Sequence, residues 1–231
     1  MSPELYFAVM LITNPQKARR ILLAEELENW FMDLFDEELN DIEFGIFLEE
    51  QENYVNRIAD KILEATGVSI TAEDEYSIQV INRAIKTATQ IQETTRNHLL
   101  VPIVGSEYSA EAQEIASYIQ MGVAFSGALL AAPYIQRWFD KARAEAIANN
   151  ESNWFYNHEE FFEAKSKYSK KIWHTALDEK VRLTHIALEG VEIGISEHFQ
   201  VGAYLMDYPL DDSYGAGAEE IVNCRCTVEY K

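Results

Sequence analysis

The texture of this chain changes at Lys171. Before it, apolar residues recur every three or four positions; after it, short alternating runs are broken by turn residues. The first pattern belongs to helices that bury one stripe, the second to short strands. No single regular architecture holds both. The expected fold class is therefore α+β: a mainly helical N-terminal body with a small C-terminal α+β module.

The helical part opens at Asn14-Pro15, where Asn suits a cap and Pro the first helical position. Leu23, Leu27, Trp30, Phe31, Leu34 and Phe35 then define one apolar stripe. Phe47, Tyr54, Val55, Ile58 and Ile62 carry the pattern on to Gly67. Thr71 to Asp74 reads as a capping box with Asp in the place usual for Glu. The helix it opens has Ile78, Ile81, Ile85, Ala88, Ile91 and Leu99 on its apolar side, and Pro102 and Gly105 are expected to break it. Residues 115–135 carry no charge. Ser117, Gln120, Ser126 and Pro133 lie within that run and no basic cluster flanks it, which favours a buried helix–turn–helix, close-packed at Gly122 and Gly127, over a membrane span. Pro133 then starts a helix with Ile135, Trp138, Phe139, Ala142, Ala146 and Ile147 inward. The division read from these signals is an acidic helical region at 1–105 and a second region at 106–231, with a compact α+β unit at 172–231.

Charge narrows the partners. Asp and Glu number 39 against 19 Lys and Arg, a net charge of −20. Such a body repels nucleic-acid phosphates over most of its surface. Residues 25–52 hold 12 acids and no Lys or Arg, either as a solvated face or as a docking surface for a basic partner. The basic concentration is Lys165, Lys167, Lys170 and Lys171 around Tyr168. It reads either as a solvated helix face or as a contact for single-stranded nucleic acid. The apolar residues 6–12 follow Glu4 rather than a basic segment and are too few to span a bilayer, so neither a secretory signal nor a membrane partner is expected.

The chemically special residues gather at the end. Residues 172–176 suit a strand, Asp178 a cap for a helix reaching Leu188, Gly190 its left-handed terminus, residues 191–195 a second strand and residues 222–230 a last one. Tyr208-Pro209 and Gly215 to Gly217 mark loops. On that helix Asp178, Arg182 and His185 share a face. Cys224 and Cys226 point to one side of an extended strand, and a disulfide between them would be strained. Free thiols or shared metal ligation remain. His185, Cys224 and Cys226 make three ligands, with Asp178, His174 or His198 as the fourth of a tetrahedral zinc set, although the C-x-C spacing departs from the usual C-x2-C. Without metal, the cysteines pack as small apolar residues. A Cys beside a His is also the minimum for an activated thiolate. The alternative function is thus an enzyme, a metal-dependent hydrolase or transferase built on Asp178, His185, Cys224 and Cys226. There is no dinucleotide fingerprint, P-loop or H-E-x-x-H, so no cofactor is called for beyond zinc.

Trp173, Asp178-x3-Arg182-x2-His185-x4-Gly190, Phe199, Pro209 and Asn223-Cys224-Arg225-Cys226 together resemble the phage Mu F-like domain of minor head, or head morphogenesis, proteins of tailed bacteriophages. Residues 142–151 and Asn157 resemble the helix leading into that domain, with Asn149-Asn150-Glu151 where the family tends to have Arg-Thr-Glu. The likeness covers roughly residues 110–231. It implies a virion component of few copies at the portal vertex, acting in procapsid assembly or genome delivery. Its partners would be the portal protein, capsid or scaffold proteins, and DNA. Its place would be the phage head, after assembly in the host cytoplasm. The domain also precedes toxin modules; with five residues after Cys226, none is expected here. Beside the strand geometry, the resemblance makes Asp178, Arg182, His185, Asn223 and Arg225 a structural latch rather than a catalytic set.

Overall fold

The computed structural model describes residues 15–44, 51–104 and 140–231, with side chains over 21–36, 55–94 and 140–231. Three helices fill the first part: α1 (Pro15–Phe44), α2 (Gln51–Thr66) and α3 (Glu75–Val104). α1 starts at the expected proline and buries Leu27, Phe31, Leu34 and Phe35 along the expected stripe. α2 buries Ile58, Ala59, Ile62 and Leu63. It ends as glycine allows: Gly67 takes φ +73°, its N–H donates to the Glu64 carbonyl at 3.1 Å, and the Val68 N–H donates to the Leu63 carbonyl at 3.2 Å. That is the Schellman pattern.

α3 departs from expectation in three ways. Its cap is Asp74, not Thr71. Asp74 accepts the Ser77 N–H at 2.9 Å on one oxygen and the Ser77 hydroxyl at 2.6 Å on the other, while Thr71 turns back to Ser69. Its buried side is Ser77, Val80, Arg83, Ala84, Thr87, Ala88 and Ile91, leaving Ile78 and Ile85 exposed. α3 packs on α2, and small side chains at Ala84 and Ala88 permit a close approach that three isoleucines would not. The helix also continues through Pro102, where so near its end little of the hydrogen-bond ladder is lost.

Phe47, the Tyr54 and Leu99 side chains, and the uncharged run 115–135 with Pro133, Ile135, Trp138 and Phe139 lie outside the described residues. No helix among the described residues is long and apolar enough to cross a membrane.

α4 (Lys141–Ala164) is capped by Asp140, whose carboxylate accepts the Arg143 N–H at 2.9 Å. In its first two turns Ala144 and Ala148 are buried and Ala142 is exposed, so its stripe is rotated from the expected one. The chain divides into two compact units, one from Glu25 to Ile147 and one from Ala148 to Lys231 together with the chain up to Ala24. Among its described residues, the core of the first is built from helices. Beside it Lys141 pairs with Glu28 at 3.2 Å and the Arg143 guanidinium lies 5.0 Å from the Phe35 ring.

The second unit joins the rest of α4 to two small sheets. β1 (Lys170–His174) lies between β2 (Glu192–Gly194) and β5 (Thr227–Tyr230) in an antiparallel sheet of order β2-β1-β5, with Lys171 opposite Ile193 and Trp173 opposite Val228. β3 (Phe199–Val201) and β4 (Tyr204–Met206) form a hairpin closed by Gly202-Ala203, with Gly202 at φ +56°. The fold class is α+β, as expected. Trp173 is fully buried, edge-on to Phe199 at 5.1 Å and to His185 at 5.6 Å. On the same face of β1, Lys171 is also fully buried. Its ammonium donates to the Asp207 carbonyl at 2.9 Å and lies 4.7 Å from the Phe161 ring centre.

Two boundaries move. The helix expected from Asp178 to Leu188 is only α5 (Leu183–Ile186). Before it Leu177 takes φ +54°, and Asp178 accepts the Lys180 N–H in a local turn. Gly190 does take the left-handed conformation, φ +71°. The last strand begins at Thr227, not 222, after α6 (Ala218–Ile221) and a bend at Asn223, φ +59°. Cys224 and Cys226 therefore precede the strand rather than belong to it.

Candidate functional site

Three elements converge on the segment 222–226. α4 holds its backbone: the Asn153 amide donates to the Cys224 carbonyl at 3.2 Å and the Asn157 amide to the Cys226 carbonyl at 3.4 Å. The Asn223 N–H donates to the Asn150 side-chain oxygen at 3.3 Å. These bonds replace the strand pairing that the segment lacks. The turn before α5 supplies Asp178, which accepts both arms of the Arg225 guanidinium at 2.6 and 2.7 Å. Arg182, at the start of α5, donates to the Val222 carbonyl. So Asp178, Arg182 and His185 do not share a helix face, because the helix begins after Arg182. They meet the C-terminal segment one by one, and Asn223 joins through its backbone.

His185, Cys224 and Cys226 come together in the interior, each no more than 3% exposed. His185 Nδ1 lies 3.4 Å from Cys226 Sγ and 3.6 Å from Cys224 Sγ. Its Nε2 lies 3.0 Å from Glu220 Oε2, which also accepts the Thr184 hydroxyl at 2.8 Å. A carboxylate only accepts, so the proton of neutral His185 sits on Nε2 and the Nδ1 lone pair faces the sulfurs. The Cys226 thiol bonded to Cys224 lowers the Cys224 pKa, aided by the nearby Arg182 and Arg225 charges; that same bond and burial push the Cys226 pKa up. The two thiols are unpaired by any disulfide.

The other candidate ligands lie elsewhere. His174 bridges Glu189 at 3.2 Å and Glu229 at 3.1 Å. His198 pairs with Asp207 at 2.9 Å, and Asp178 is taken by Arg225. Among the described residues, the triad His185, Cys224 and Cys226 is the group that brings ligand atoms within 4.8 Å of one another. Chemically it offers two options, a soft cation held by three ligands or a thiol beside an imidazole backed by a carboxylate. The burial of both sulfurs opposes the second, because a nucleophile must reach its substrate. A groove of about 370 Å³ does open on this unit, lined by Tyr156, Glu160, Tyr168, His174 and Glu229 among others, but no member of the triad lines it.

The four lysines separate. Lys167 pairs with Glu163 at 3.0 Å, Lys170 pairs with Glu192, and the Lys165 ammonium lies 5.4 Å from the Phe161 ring centre. Lys171 is buried with Asp207 and leaves the surface altogether. Its burial corrects the reading of a continuous basic face: β1 turns Lys171 inward between Phe161 and Phe199.

Three participants were not legible in the sequence. Glu220 lies 35 residues from His185, and Asn153 lies 71 from Cys224. Thr184 adjoins His185 but earns its place only through Glu220. The one local hint is Gly202: a Cβ there would lie 2.7 Å from Glu220 Oε1.

No curated protein and no solved structure matches this chain. A family model described as Phage Mu protein F like protein matches residues 81–229, beginning within α3 and upstream of the stretch that carries the motif resemblance. That match takes in α4, both sheets and every residue of the buried triad, and the chain belongs to the phage Mu protein F-like family.

Proposed function

We propose that this chain is a minor head protein of a tailed bacteriophage, seated at the portal vertex and acting in procapsid assembly or genome delivery. The family match over residues 81–229 carries this reading. The acidic stretch 25–52 supports a protein-docking role for the N-terminal helices, since it offers 12 acids and no base to a basic partner. The C-terminal unit is the folded anchor, with its latch residues spent on internal contacts. The same burial supports a non-enzymatic role. Portal protein, capsid or scaffold proteins are the expected partners, and the virion is the expected place.

The test is co-purification with oligomers of the cognate portal protein. Binding is expected, and it weakens as salt rises because screening shortens the reach of the acidic face. Absence of binding at low salt overturns the portal assignment. Full binding after removal of residues 1–105 removes the docking role from those helices.

A further inference from the structure

We infer that His185, Cys224 and Cys226 form a zinc site that staples the C-terminal segment to the module. Three independent observations carry it. The first is distance. Zinc–sulfur bonds of about 2.3 Å and zinc–nitrogen bonds of about 2.05 Å at a tetrahedral angle place N and S about 3.6 Å apart. The structure has 3.4 and 3.6 Å, to both sulfurs from one nitrogen.

The second is proton accounting. With its N–H on Nε2, His185 presents one bare lone pair to two sulfurs. A single thiol proton satisfies that lone pair, whereas a cation bound to all three atoms satisfies nitrogen and both sulfurs together.

The third is the outer shell. Glu220 on Nε2 is the carboxylate–histidine arrangement that orients a metal-bound imidazole. Glu220 is in turn held by Thr184, and the Cys224 and Cys226 carbonyls are held by Asn153 and Asn157. Both the donor atoms and the groups behind them are fixed.

The ligand chemistry favours zinc. Two thiolates and an imidazole suit a borderline-soft d10 ion and exclude magnesium or calcium, which take oxygen. Binding releases one proton from each thiol, and His185 binds through the Nδ1 lone pair. Among the described residues the cluster supplies three protein ligands, His185, Cys224 and Cys226. The site is structural: it ties α5 to the segment ahead of β5 at sequence separations of 39 and 41 residues.

The experiment uses the full chain, purified reduced. Elemental analysis is expected to find one zinc per chain. Chelator-stripped protein titrated with cobalt(II) alone is expected to develop thiolate-to-cobalt absorption and intense tetrahedral d–d bands. Zinc alone then displaces the cobalt and bleaches those bands. Glu220→Gln, which keeps all three ligands, is expected to weaken zinc binding roughly 10–100-fold with an unchanged circular dichroism spectrum. Cys224→Ser with Cys226→Ser abolishes the cobalt absorption. Stripped wild type that stays folded and takes up neither ion overturns the site. So does metal binding that persists in the double serine variant. The wild-type titration decides the matter even if that variant does not fold.

Discussion

Gly202 shows how one residue controls a site to which it contributes no ligand. It turns the β3–β4 hairpin at φ +56°, and it leaves room for Glu220 behind His185. Gly202→Ala is expected to cost about 1–3 kcal/mol, from the left-handed backbone and from the displaced carboxylate. Urea unfolding measures the loss. Asp178 shows a different residue-scale effect. The Arg225 guanidinium holds its pKa down to about 2, from an ordinary 3.8. A depressed acid binds its proton less readily in the folded state than in the unfolded one. Its contribution is therefore complete above 3.8 and fades as the pH falls through about 2. Glu189, Glu192 and Glu229 are also lowered, by Thr175, Lys170 and His174 respectively. Arg225→Gln keeps those three and, among these four carboxylates, removes only the hold on Asp178. Thermal melts of wild type and variant are expected to converge as the pH is lowered from about 4 to about 2. A constant difference across that window would refute the assignment.

At the scale of elements, β1 is the organising strand of the C-terminal unit. It pairs on both sides and puts Trp173 and Lys171 on one buried face. A lysine in that place is affordable only with its partners: the Asp207 carboxylate and carbonyl, and the Phe161 and Phe199 rings. Burial lowers its pKa, and Asp207 opposes that shift. Lys171→Ala leaves Asp207 facing a cavity and is expected to cost about 3 kcal/mol, read from chemical denaturation. Lys167→Ala, on an exposed pair, is the control and is expected to change stability by less than about 1 kcal/mol. α4 plays the complementary part. Its first turns serve the helical unit, and its second half presents Asn153 and Asn157 to the cysteine segment.

On the scale of the whole molecule, charge and burial divide the work. The net charge of −20 disfavours broad contact with nucleic acid. The basic cluster at 165–171 is reduced to three surface lysines, two of them paired with glutamates. The acidic stretch at 25–52 is left as the sequence feature with a partner to find, which is the sense of the portal-binding test. The metal proposal stands apart from it: a chain that fails to bind portal can still hold zinc, and the reverse also holds.

The sequence by itself determined what local interactions decide. Helical period placed α1 to α3, glycine placed the left-handed ends at Gly67 and Gly190, and a compact motif carried the family resemblance. It also brought His185, Cys224 and Cys226 onto one short list of ligands. It misplaced what depends on neighbours in space. The side that α3 buries was set by packing against α2. Asp178 meets Arg225, 47 residues away, instead of sharing a helix face with Arg182. Lys171 looked like surface until β1 became a central strand. Caps and periods arise within a few residues of each other, so they can be read along the chain. Glu220 behind His185 and the asparagines behind the cysteines exist only once the chain has returned on itself, and tertiary structure alone decides that path.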